Sequence, residues 1–170
     1  MLKQEKHIAY ISVGSNIKDK KKNLKKAINL LNELKPLDVI KISSFYKTAP
    51  QNYKDQDWFV NAALKIKTFL SPLDLLKALK TIEKKIDKKG KAFRFGPRMI
   101  DLDIIYYDDL IFKANNLEIP HPRMHERCFV LVPICDIGKN IIHPIFKCKS
   151  DELLKKIQGV QKVILLKKEN

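Results

Sequence analysis

Two aspartates, Asp101 and Asp103, stand one residue apart inside an otherwise apolar run, Met99 to Tyr107 (MIDLDIIYY). In a strand, residues i and i+2 project to the same side, so the pair shares one face while Ile100, Leu102, Ile104 and Tyr106 turn to the other. Two unit charges roughly 6 Å apart repel by about 3 kcal/mol at an effective dielectric of about 20. Protonation, an arginine or a divalent cation would offset that cost. Mg2+ suits such a pair, because it keeps several waters and is commonly held by one or two carboxylates plus substrate phosphates. Arg94 and Arg98 lie just upstream across Phe95-Gly96-Pro97, and guanidinium forks match phosphate oxygens in pairs. Acids for metal and arginines for phosphate on one short segment describe a site for a nucleoside triphosphate. Two plainer accounts stay open: a bare Asp-x-Asp also fits a solvated strand face, and the arginines could simply neutralise the aspartates.

The elements that must position this segment follow from hydrophobic spacing. Ile8 to Val13 is a short apolar strand ending at Gly14-Ser15-Asn16. Asp19 can cap a helix in which Leu24, Ala27, Ile28, Leu31 and Leu34 recur at helical spacing until Pro36. Val39 to Tyr46 is β-branched and aromatic, hence a second strand, and Lys47 to Asp57 is a long polar loop of the kind that is usually functional or disordered. Phe59 to Lys67 resumes a strand, with Phe59 and Asn61 on one face and Val60, Ala62, Leu64 and Ile66 on the other. Ser71 caps and Pro72 opens a helix with the stripe Leu75, Leu76, Leu79, Ile82 and Ile86. A basic, glycine-containing stretch, Lys88 to Pro97, then delivers the chain to the aspartate strand. A hairpin is expected next, with a turn at Asp108-Asp109 and a return over Leu110 to Phe112. A helix follows from Phe129 to Ile137, closed by Gly138, with Pro133 working against it. Strand, helix, strand, strand, helix, strand is the order of an α+β, ferredoxin-like βαββαβ antiparallel sheet with flanking helices, here with an extra hairpin.

At 170 residues, 45% apolar and 31% charged, the chain reads as a single globular domain over 1–170, with no room for a fused second one. Lys plus Arg outnumber Asp plus Glu by 34 to 19, giving +15. Such a field attracts polyanions but names no partner, since much of the excess is lysine spread over helices. The three cysteines show neither CxxC nor zinc spacing. No signal-like segment and no apolar run of about 20 residues is present, so a cytoplasmic location is expected and no membrane partner. A basic nucleic-acid-binding module of the same fold type is the alternative from another class. Against it, the sheet face carries acids at its centre and lacks the aromatic RNP1 pattern, so no nucleic acid is expected.

RFGPRMIDLDIIYYDD (Arg94 to Asp109) resembles the signature of the 6-hydroxymethyl-7,8-dihydropterin pyrophosphokinases of folate biosynthesis: an aromatic residue, Gly-Pro-Arg, two residues, then Asp-Leu-Asp. YISVGSN (Tyr10 to Asn16), ISSFYKTAP (Ile42 to Pro50), DQDWFVNAA (Asp55 to Ala63) and IPHPRMHER (Ile119 to Arg127) are similar to other segments of that family, in family order. The resemblance implies a ferredoxin-like fold and a monomeric enzyme that moves a pyrophosphoryl group from ATP to the pterin's hydroxymethyl oxygen, releasing AMP. It implies that Asp101 and Asp103 ligate two Mg2+ ions and that Arg94 and Arg98 hold phosphate oxygens. Glu83 and Ile104 would sit near the adenosine, and His121 and Arg127 would reach the nucleotide from the far side. Thr48, Ala49, Pro50, Phe59, Asn61, Phe95 and Phe129 would form the pterin slot, where flat rings stack and an amide reads the pyrimidine edge.

Several residues depart from that pattern. Phe95 stands where tryptophan is common, Ala49 replaces the first of a usual proline pair, and Phe59 replaces a tyrosine. Lys80 occupies a frequent glutamine position and Pro122 an aromatic one. Gly90 falls where the loop often has an arginine, with Lys88, Lys89 and Lys91 nearby as substitutes. The segments Lys47 to Asp57 and Lys85 to Pro97 are expected to close over the substrates. A nucleotidyltransferase using the same acids would release pyrophosphate instead of AMP.

Overall fold

A computed structural model describes residues 5–167. In chain order it contains β1 (His7–Ser15), α1 (Lys20–Asn32), β2 (Leu37–Ile42), β3 (Tyr46–Thr48), β4 (Phe59–Thr68), α2 (Pro72–Ile86), β5 (Asp101–Tyr107), β6 (Phe112–Ala114) and β7 (Leu117–Ile119). A single 3-10 turn (Met124–Glu126), α3 (Cys128–Gly138), α4 (Ser150–Ile157) and β8 (Val163–Leu165) follow. The main sheet runs β5-β1-β4-β3-β8, with β2 also paired to β4, and every pairing is antiparallel. This is the ferredoxin-like order, extended by one edge strand. Asp19 caps α1 through Lys22 N–H at 3.0 Å, and Ser71 caps α2 with Pro72 in its first turn.

The sheet is covered on both faces. Val13, Leu64, Ile66, Leu102 and Ile104 pack with Leu24, Leu31, Leu75 and Leu79 under α1 and α2. Ala63, Ile105 and Tyr106 pack with Met124, Leu131 and Ile134 of the α3 side. Leu102 and Ile104 belong to the α1/α2 core, so alternation puts Asp101 and Asp103 on the α3 face.

The structure corrects three expectations. The strand foreseen over Val39 to Tyr46 is broken, because the Ser43 hydroxyl accepts Ala63 N–H at 2.8 Å and takes over a ladder bond. Lys47 and Thr48, foreseen as loop, form the second piece, β3. Tyr106 does not continue the Leu102 and Ile104 face. The β1–β5 register slips between Tyr10 and Ile11, Ile105 becomes the extra residue of a bulge, and Tyr106 crosses to the α3 side. The expected return strand after Asp108-Asp109 does not fold back on β5. Asp108 instead accepts Ile8 N–H at 2.8 Å and His7 Nδ1 at 2.7 Å, anchoring the turn on β1, and the extra hairpin forms downstream between β6 and β7. The helix across Pro133 does form, with seven of its residues buried.

Candidate active site

The site lies on the α3 face of the sheet, where β1, β4 and β5 meet. Gly14 on β1 stands opposite Asn61 on β4, and a Cβ at Gly14 would come within 2.5 Å of Asn61 Oδ1. Glycine is therefore what lets the Asn61 amide lie across β1. That amide donates to Thr48 Oγ1 at 2.7 Å, with Asn61 3% and Thr48 1% exposed. Phe59 points to the same face. Phe95, at φ 63, turns the loop before β5 in the left-handed region uncommon for a non-glycine residue.

One cavity gathers most of the residues singled out in the sequence. Thr48, Ala49, Pro50, Phe59, Asn61, Phe95 and Phe129 line one part of it, and Arg98, Asp101, Asp103 and Arg127 the other. Four others lie outside its lining. Arg94 is exposed, its guanidinium 4.9 Å from the Phe95 ring centre. Glu83 accepts Leu102 N–H at 2.7 Å and pairs with Lys80 at 2.8 Å, and Ile104 is 3% exposed within the α1/α2 core. His121 sits behind Arg127, with Nε2 3.5 Å from Arg127 Nη1.

The two aspartates are not electrostatically alike. Asp101 Oδ1 is 2.9 Å from Lys91 Nζ and its Oδ2 2.9 Å from Arg98 Nε. The Arg98 N–H is not directed along that line, so the contact is a charge pair and the buried Nε keeps an unused hydrogen. Burial alone would raise the Asp101 pKa, but Arg98 and Lys91 more than offset it and hold the carboxyl below its usual range. Asp103 has no hydrogen-bond donor or ion-pair partner among the described residues. Burial first, and the Asp101 charge second, push its pKa up. A carboxylate that faces the cavity with no protein donor, beside a second carboxylate on the same strand face, fits a divalent cation. Among the described residues no three His, Cys, Asp or Glu side chains converge on a metal site. Remaining ligands would then come from water and phosphate, the pattern of Mg2+ rather than of a closed zinc site.

Donors collect on the far wall. His121 Nδ1 accepts Arg123 N–H at 3.1 Å, so a neutral imidazole carries its proton on Nε2, facing Arg127. Burial lowers the His121 pKa, and burial followed by Arg123 lowers that of Arg127. Arg127 Nε is also buried without an acceptor. Two neighbouring groups that can only donate to one another, with a spare buried N–H, suit an anion between them.

Asn16 and Gln56, which sequence reasoning left without a role, bind the two flanking loops together. Asn16 Nδ2 donates to Gln56 Oε1 at 2.9 Å and to Asp57 O at 3.1 Å, and its Oδ1 accepts Arg98 N–H at 2.9 Å. Gln56 Nε2 donates to Phe95 O at 3.0 Å, and the Tyr53 and Phe93 rings meet edge-on at 5.1 Å. Gly90 has φ 68 and its N–H bonds Asp87 Oδ1 at 3.0 Å, so the turn itself selects glycine there. Gln161, near the C-terminal end, also lines the cavity, and no motif or periodicity pointed to it.

Residues 10–139 match the family described as 7,8-dihydro-6-hydroxymethylpterin-pyrophosphokinase (HPPK). The folic acid synthesis protein FOL1 of Dictyostelium discoideum is 48% identical over 139 residues, 81% of this chain and 20% of that protein. The 2-amino-4-hydroxy-6-hydroxymethyldihydropteridine pyrophosphokinase of Bacillus subtilis is 39% identical over 146 residues, 86% of this chain and 87% of that one. This chain thus spans only about a fifth of the Dictyostelium relative but most of the Bacillus one. Among solved structures, wild-type Plasmodium falciparum HPPK-DHPS with pteroate superposes with a TM-score of 0.74 at 16% identity, covering 93% of this chain and 46% of that one. At that identity the likeness speaks for the fold alone.

Proposed function

Because the chain belongs to the 7,8-dihydro-6-hydroxymethylpterin-pyrophosphokinase family, we propose that it transfers the terminal pyrophosphoryl group of ATP to 6-hydroxymethyl-7,8-dihydropterin. The hydroxymethyl oxygen gives up its proton to solvent and bonds to the β-phosphorus, the bond from that phosphorus to the oxygen on the α-phosphate breaks, and AMP and the pterin diphosphate leave. The observation that carries the proposal is the unpartnered Asp103 carboxylate beside Asp101, at the junction between an aromatic and amide slot and a cluster of cationic donors.

Each residue has a role in this reading. Phe59, Phe95 and Phe129 hold the flat pterin, and Asn61, oriented by Thr48, reads its polar edge along with the main chain of Ala49 and Pro50. Asp101 and Asp103 would hold two Mg2+ ions, which neutralise phosphate charge and act as Lewis acids. Arg98 exchanges its Asp101 contact for a phosphate oxygen, and Arg94 swings in from the loop to another. Arg127 and His121 donate to the nucleotide phosphates from the far wall. Glu83 and Ile104 lie behind the strand, so an adenosine there meets the Ile104 main chain and the Glu83–Lys80 pair rather than the Ile104 side chain. No covalent nucleophile is needed; in-line positioning and charge neutralisation suffice. The Asn16-bonded loops shut out water that would otherwise hydrolyse ATP.

The test mixes the protein with MgATP and 6-hydroxymethyl-7,8-dihydropterin and resolves the products. AMP and the pterin diphosphate in equal amounts are expected. Release of ADP or of pyrophosphate, or dependence on RNA, would overturn the reading.

A further inference from the structure

We propose that Gln161 is a positioning residue of the pterin slot, supplied by a C-terminal segment that lies outside residues 10–139 and clamps two walls of the cavity to each other. Its Nε2 donates to Ala49 O at 2.5 Å and its Oε1 accepts Phe129 N–H at 3.0 Å. A carbonyl on one side and an N–H on the other fix which way the amide faces, because a flip would set like against like at both ends. One wall it holds is the turn after β3; the other is the first turn of α3, whose Phe129 ring lines the same cavity. The segment around Gln161 is itself tied down: Ala49 N–H donates to Lys162 O at 3.1 Å, and Thr48 to Tyr46 pair with Val163 to Leu165 of β8. Lys162 and Lys47 both lie over the Trp58 ring, at 5.9 and 5.4 Å, just before Phe59. The slot width, set between Ala49 and Phe129, therefore depends on one amide about 20 residues beyond the matched region. The nucleotide-side residues Arg98, Arg127, Asp101 and Asp103 make no hydrogen bond with Gln161.

The inference rests on the pterin reading of the cavity and predicts a split between the two substrates. Gln161→Leu keeps much of the side-chain bulk and removes both bonds. Gln161→Glu keeps the acceptor for Phe129 N–H but sets a carboxylate oxygen against Ala49 O. Both variants, and Ile164→Thr as a control on the exposed part of β8, are assayed for kinetics and for pterin binding by fluorescence titration, with thermal melts confirming the fold. Loss of one or two hydrogen bonds of about 1 kcal/mol each should raise the pterin KM and Kd about tenfold in both Gln161 variants. The KM for ATP and kcat should stay within twofold, and Ile164→Thr should match the wild type. Pterin binding unchanged in Gln161→Leu, or ATP and pterin affinity falling together, overturns the role of Gln161 while the wild-type activity stands. A wild-type protein that binds no pterin overturns the underlying reading as well.

Discussion

Asp103→Asn should stabilise the protein while abolishing its activity. Asp101 and Asp103 share a strand face, and full like-charge repulsion at roughly 6 Å would be about 3 kcal/mol at an effective dielectric of about 20. Asp101 is already answered by Arg98 and Lys91, each at 2.9 Å, so only part of that repulsion is recoverable. Removing the Asp103 charge also relieves the partial desolvation that pushes its pKa up. A net gain of about 1 to 2 kcal/mol follows, which for a chain of this length raises the melting temperature by about 2 to 8 °C. The assay is a thermal melt in EDTA at low ionic strength, where surface screening is weakest. Repeating it with MgATP and the pterin should reverse the ranking, because substrates and metal stabilise only the form that binds them. A variant melting at or below the wild type in EDTA would refute the view that Asp103 is held at an electrostatic cost for function.

Other consequences follow from the same geometry. Asn16→Ala removes three side-chain hydrogen bonds of about 1 kcal/mol each, which should lower the melting temperature by about 6 to 12 °C and reduce kcat; calorimetry and steady-state turnover check both. Gly14→Ala drives a Cβ to 2.5 Å from Asn61 Oδ1 and should raise the pterin KM with little change in that for ATP, measured by varying each substrate at saturation of the other. His143 is 2% exposed, accepts the Ile145 and Phe146 N–H groups on Nδ1, and has its pKa lowered by burial from 6.5 to about 4. The folded state thus binds fewer protons than the unfolded state between those values. Stability is full above pH 6.5 and declines as pH falls toward 4, by an amount on the order of 2 kcal/mol. Denaturant titrations at steps across that window should show a slope that His143→Gln flattens.

The parts of the fold written in strong local signals were legible. Alternation placed Phe59 and Asn61 together on β4, and Ser71-Pro72 opened α2 where expected. What escaped notice depends on contacts distant in sequence. Ile104 and Ile105 are chemically alike, and only the pairing with Tyr10 and Ile11 decides which one bulges. Ser43 breaks its strand because its hydroxyl meets Ala63, twenty residues away in sequence. The strands β6, β7 and β8 are three residues each, too short for alternation to register. For the site, alternation had assigned Ile104 to the packed side, where its side chain lies, whereas the family likeness had suggested the adenosine. The cavity collects the slot residues and the aspartates, yet its Gln161 wall carried no local signal, since an isolated glutamine near a chain end has meaning only against Ala49 and Phe129.

The central claim is that Asp101 and Asp103 grip metal so that a triphosphate can be cut at its β-phosphorus. Crystals grown with Mn2+, a non-hydrolysable ATP analogue and the pterin test it most directly, through the anomalous signal of manganese. Peaks against both carboxylates, with Arg98 turned from Asp101 to a phosphate oxygen, are the predicted result. Manganese and triphosphate bound elsewhere, with Asp101 still held by Arg98 and Lys91, would contradict it.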